Sequence, residues 1–112
     1  MVDADKWGRD PSVQMMRGVF NRMEEVQGEL LQRLRIAPFD TRLRKWRKHA
    51  LQCFERAWIH AANRGIRLGE EKAAAIYVHC LAQTMVSEGI SVPLEAIPND
   101  EDIRMLLEEV LR

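Results

Sequence analysis

The sequence predicts an all-α fold of four helices, a long antiparallel helical hairpin closed by two shorter helices. Three observations carry this. Apolar residues recur at three- and four-residue spacing from Val13 to Val110. Proline and glycine mark the gaps between those runs, at Pro38, Gly65, Gly69, Gly89 and Pro98, while Gly18 and Gly28 lie within the first run but off its apolar stripe. No segment alternates apolar and polar residues as a half-buried strand does. With 112 residues, 46% hydrophobic and 30% charged, the chain fits one domain able to bury its own core. Residues 1–9 read as a flexible lead, in which Trp7 is out of place, and 10–112 as the single domain.

Asp10-Pro11 is a helix start, a capping side chain followed by a first-turn proline. From there Val13, Met16, Phe20, Met23, Leu30 and Leu34 mark a stripe, with Val19, Val26 and Leu31 beside it, and predict a helix over 11–35. Gln27 interrupts the stripe. Pro38 stops this helix, and Asp40 or Thr41 can cap the next. The second helix runs to about Asn63, with Gly65 at the position where a left-handed residue ends a helix. Its apolar arc is Leu43, Trp46, Ala50, Phe54, Ala57 and Ala61, flanked by Leu51 and Trp58.

A third helix follows Gly69, with Glu70 and Glu71 in its first turn and Ala73, Ile76, Tyr77, Cys80, Leu81 and Thr84 as its inner face. Residues 90–98 hold two prolines and several apolar side chains, so this loop is expected to pack on the core. Asn99 or Asp100 caps a short last helix with Ile103, Leu106, Leu107 and Val110 inward. The short link at Pro38 makes the two long helices antiparallel neighbours, each about 35 Å at 1.5 Å per residue. That register sets Glu29 near Arg47 and Arg22 near Glu55. The shorter helices would leave part of the hairpin's apolar face uncovered, which predicts a partner surface and a homodimer.

The formal net charge is zero but unevenly spread. Residues 31–49 carry seven basic side chains against one acidic, and residues 88–112 carry seven acidic against two basic. The basic corner supplies the candidate partner-binding residues Arg42, Arg44, Lys45, Trp46, Arg47 and Lys48. Cations at the start of a helix run against its dipole, which points to a role beyond solvation. Lysines and arginines gathered over 33–48 can also neutralise phosphates, so a nucleic-acid-backbone binder is the alternative reading. No recognition-helix or base-reading pattern accompanies them. Arg47 falls inside the apolar arc. It either snorkels out at an edge, or is held by a carboxylate such as Glu29, or marks a protein interface; the second reading is favoured.

His49 and Cys53 are four residues apart on one helical face, and with His79 or Cys80 they are the candidate metal ligands. Neither a CxxC pair nor an HxxxH pair is present, so no metal or cofactor is expected. His49 beside Cys53 could activate a thiolate, but nothing in the sequence supplies an oxyanion hole or an orienting carboxylate, and no catalytic residue is assigned. Two cysteines in helices read as reduced thiols of a cytoplasmic protein. The acidic first residues carry no secretory signal, and no apolar run approaches the roughly 18–20 residues that span a bilayer. The sequence-level expectation is therefore a small protein-interaction module, adaptor or regulatory, without catalytic activity of its own.

Overall fold

The structure, a computed structural model, describes the backbone of residues 11–110 and the side chains of 17–110; the expected lead at 1–9, Trp7 and the Asp10 cap lie outside them. It is all-helical: α1 (Pro11–Arg33), α2 (Leu43–Asn63), α3 (Glu70–Ser87) and α4 (Glu101–Val110), with one 3-10 turn at Leu94–Ala96 and no strand among the described residues. No helix among them is long and apolar enough to cross a membrane.

The packing centre is α3. Its principal neighbours are α2 and α1, while α4 lies across α2 and α3. The direct α1–α2 seam implied by the short link is not a principal packing, because α3 provides the apolar surface for both. The sequence shows why. Between Lys72 and Glu88 there is no Asp, Glu, Lys or Arg, so α3 has no charged face to turn to water. Ala74, Val78, Ala82 and Met85 are buried in addition to the inner face expected from spacing. Thr84, only half-buried, turns its hydroxyl back to donate to the Cys80 carbonyl at 2.8 Å. Small residues face the seam with α2: Ala50, Ala57, Ala61 and Ala73 are at most 1% exposed, which lets the two backbones approach closely.

On α2 the buried set is the expected arc, residue for residue. On α1 the stripe is rotated by one position. Val19 is fully buried and Phe20 is 47% exposed, since the helix faces α3 along Val19, Met23, Gln27, Leu30 and Leu31. Gln27, in mid-stripe, is tolerated because the buried Tyr77 hydroxyl donates to its Oε1. Arg22 pairs with Glu25 and with Glu71 on α3, both at 2.9 Å, rather than with Glu55, which follows from the same central placement of α3.

The helix ends are built from backbone geometry. Gly65 and Gly89 adopt φ of 72° and 87°, closing α2 and α3 with the Ile66 N–H donating to the Ala61 carbonyl and the Ile90 N–H to that of Met85. α1 ends two residues earlier than its spacing suggests. Arg35 takes the same left-handed conformation at φ 56°, with the Ile36 N–H donating to the Leu31 carbonyl at 2.9 Å. The helix thus stops at a left-handed arginine before Pro38 is reached. Ile90, Val92 and Ala96 pack against the core as expected of this loop, whereas Leu94 is 84% exposed. Arg33 ties the loop to α1 by donating to the Glu95 carbonyl at 2.7 Å. Asp100 caps α4 through the Ile103 N–H, and at the far end Glu109 accepts from His60 at 2.8 Å and from Arg64 on the link after α2.

Two stability predictions follow from these features. Arg35→Gly removes a left-handed strain of about 1 kcal/mol, partly offset by unfolded-state entropy, and is expected to stabilise the chain by about 0.5 kcal/mol in urea unfolding. Tyr77→Phe strips a buried acceptor of its donor and is expected to cost about 1–2 kcal/mol, most of it recovered when Gln27→Leu is added in a double-mutant cycle.

Candidate interaction surface

The basic corner begins with Asp40. Its carboxylate accepts from the Arg42 backbone N–H at 2.9 Å and from the Arg42 guanidinium at 2.8 and 3.1 Å, which sets the entry into α2. The side-chain bond from Arg42 is the main reason its acidity is raised, its pKa falling from the ordinary 3.8 to about 2, with the backbone bond adding to it. The Arg42 guanidinium in turn stands 4.9 Å from the Trp46 ring centroid.

Trp46 itself is 1% exposed and belongs to the core. Truncating it to Ala would cost about 3–5 kcal/mol of folding stability, so it is a support for the corner and not a surface anchor. Lys45 pairs with Glu88 at 3.1 Å. Arg44 and Lys48 project into solvent from the first two turns of α2, Arg47 is exposed but turned toward Tyr77, and none of the three forms an ion pair with the described residues.

These three cations rim a groove of about 540 Å³ whose apolar wall is Pro38, Phe39, Leu43 and Leu51. Phe39 is 85% exposed. A second concavity of about 200 Å³ adjoins it, lined by Phe20, Met23, Glu24, Gln27 and Tyr77 and sharing Arg47 and Leu51 with the first. Arg47 therefore lies at the junction of two depressions between α1 and α2, above α3. It faces the Tyr77 hydroxyl and Glu24, while Glu29, its expected partner, lines a separate cavity of about 670 Å³ between α1, α3 and residues 95–98. Burial raises the Tyr77 phenol pKa, and the nearby Arg47 opposes that shift.

The acidic end of the chain leaves this surface largely open. Glu88 engages Lys45, but Glu109 is committed to His60 and Arg64 at the opposite end of α2. On α4 the residues Glu101, Met105 and Glu108 share one outer face by their spacing; Met105 is 57% exposed, and the two carboxylates form no ion pair with the described residues.

The candidate metal ligands are dispersed. His49 is exposed, His79 donates through Nε2 to the Pro98 carbonyl at 2.7 Å, and Cys53 lies 2.7 Å from the Cys80 sulfur. Burial lowers the His79 pKa. Among the described residues no group of three or more His, Cys, Asp or Glu side chains is placed to hold a metal ion.

Phe39, Leu51 and Phe20 are the surface residues that sequence reasoning did not single out. The available signal was Phe39 itself, an aromatic beside Pro38 in a short link that leads straight into a basic run. Comparison with known protein families, with curated proteins and with solved structures finds no match for this chain.

The Asp40–Arg42 contact predicts a defined acid response. Because the folded pKa of about 2 lies below the ordinary 3.8, the contribution of Asp40 is complete above about pH 4 and fades as pH falls toward 2. The difference in thermal midpoint between the wild type and Asp40→Asn, followed by circular dichroism, is expected to be flat above that window and to shrink within it.

Proposed function

We propose that the chain is a small cytoplasmic protein-interaction module, homodimeric and without catalytic activity of its own, that docks through the basic corner of α2. The observation that carries this reading is the groove at the start of α2. Exposed Phe39 and half-buried Leu51 form an apolar wall beside Arg44, Arg47 and Lys48, cations that the rest of the described chain leaves unpaired. Such a surface fits an apolar side chain flanked by carboxylates, with charge steering the encounter and the apolar wall holding it.

The outer face of α4 has that complementary chemistry, Met105 between Glu101 and Glu108. The corner lies at the N-terminal end of α2, and α4 is tied to its C-terminal end through His60. Two copies with their α2 helices antiparallel would place each corner against the partner's α4, a reciprocal arrangement that closes with twofold symmetry. Residues Lys48, Glu55 and Ile59 share the outer face of α2 between the two ends, and Ile59 is 52% exposed.

The nucleic-acid alternative draws on one specific feature, the exposed Phe39 ring beside Arg44 and Arg47, which could stack a base while the cations follow a phosphate backbone. It is weakened by how many of the corner's cations are already engaged. Arg33 is bonded to the Glu95 carbonyl, Arg42 to Asp40 and Lys45 to Glu88.

Charge exchange separates these readings. Sedimentation equilibrium is expected to give a dimer for the wild type, and monomers for Arg44→Glu/Lys48→Glu and for Glu101→Lys/Glu108→Lys measured alone. An equimolar mixture of the two variants is expected to regain the dimer, since each mutated corner then meets a mutated α4 of opposite sign. A wild type that stays monomeric at high concentration would defeat the dimer. Salt-sensitive binding of a single-stranded oligonucleotide, abolished by Phe39→Ala and Arg47→Glu, would establish the alternative.

A further inference from the structure

α2 and α3, the helices most extensively apposed, each bring one cysteine to their common seam. Cys53 Sγ and Cys80 Sγ lie 2.7 Å apart, and both thiols are free. The two differ in access: Cys80 is 1% exposed, whereas Cys53 is only half-buried at the shoulder of α2. A small solute can therefore reach one sulfur directly and the other only through the first.

We propose that Cys53 and Cys80 form an oxidation site at which a hydroperoxide converts the pair into an intrachain disulfide pinning α2 to α3, with Cys53 as the attacking sulfur and Cys80 as the resolving one. In the first step the Cys53 thiolate attacks one oxygen of the peroxide. The O–O bond breaks, the other oxygen leaves as an alcohol or water after taking up a proton, and Cys53 becomes a sulfenic acid. In the second step the Cys80 sulfur attacks the sulfur of Cys53. The S–O bond breaks, and the departing hydroxide carries away the Cys80 proton as water. Two thiols thus lose two electrons and two protons, and one hydroperoxide is reduced to an alcohol and water, or to two waters when it is hydrogen peroxide.

Geometry assigns these roles, and the local electrostatics agree. The Cys80 S–H donates to the Cys53 sulfur, and this bond lowers the Cys53 pKa to about 7, against the effect of burial and with help from Arg56. The same contact and deeper burial raise the Cys80 pKa, so the reachable sulfur is also the one that ionises first. The bond would close a loop running through the end of α2, the link at Gly65 and the start of α3. Because a disulfide is about 2.05 Å long, forming it requires only a small approach of two side chains already in contact.

The test treats the full chain with a small excess of hydrogen peroxide, blocks remaining thiols by alkylation, and maps tryptic peptides without reduction. Peptides 49–56 and 73–104, which carry the two cysteines, are expected to appear joined and lighter than their sum by two hydrogens, and to separate on treatment with dithiothreitol. The oxidised chain is expected to unfold about 10 °C higher than the reduced one. Cys80→Ser keeps a hydroxyl donor toward Cys53 and is expected to stop at a sulfenic acid that dimedone traps on Cys53, while Cys53→Ser leaves Cys80 unreacted at the same dose. The proposal is overturned if both peptides of the wild type remain separate and alkylated after peroxide, if Cys80 oxidises before Cys53, or if the link forms only between chains. None of these readouts depends on the oligomeric state, so they stand or fall apart from the docking surface.

Discussion

The structure depends on a helix whose middle turns cannot face water. α3 carries no ionised side chain from Ala73 to Ser87, and a surface that apolar is stable only when covered on more than one side. Covering it explains the arrangement of everything else. α1 and α2 lie against it, α4 caps its remaining flank together with α2, and residues 90–98 return along its end, with His79 bonded to Pro98. The polar exceptions are few and each is answered. Tyr77 meets Gln27, Thr84 bonds back to the Cys80 carbonyl, and Cys80 meets Cys53.

How much of this can be read from the sequence depends on whether the relevant signal is local. Helix spacing, the Gly65 and Gly89 ends, the Asp100 cap and the complete buried arc of α2 are legible, because each follows from a few neighbouring residues. The central position of α3 was legible in principle. Its inner face was identified, but the lack of charge on its outer face, which requires a second covering partner, carries more information than the link length at Pro38. Taking the link as decisive produces the wrong neighbours for Arg22 and Arg47 and turns α1 by one residue, exchanging Phe20 for Val19. A short connection brings two helix ends together, yet it does not require the helices to share a seam.

The surface was less legible for the same reason. The basic run is visible as composition, but the separation of Arg42 and Lys45, which are paired, from Arg44, Arg47 and Lys48, which are not, depends on Asp40 and on a distant Glu88. Trp46 is the clearest case. A tryptophan in a basic stretch has the composition of a binding residue while its spacing places it in the apolar arc, and its 1% exposure decides for the interior. Cys53 and Cys80 are 27 positions apart on different helices, and no spacing rule links them.

The α1–α3 packing also has a consequence for biosynthesis. The apolar stripe of α1 finds its main cover on residues that leave the ribosome some forty to sixty positions later. At ordinary elongation rates of about 5–20 residues per second, that stripe waits for several seconds with α2 alone as company. A nascent chain in that interval presents Val19, Met23, Leu30 and Leu31 to whatever binds oily helices near the exit tunnel. Its final shape becomes available only when the uncharged third helix emerges and draws the first two onto itself.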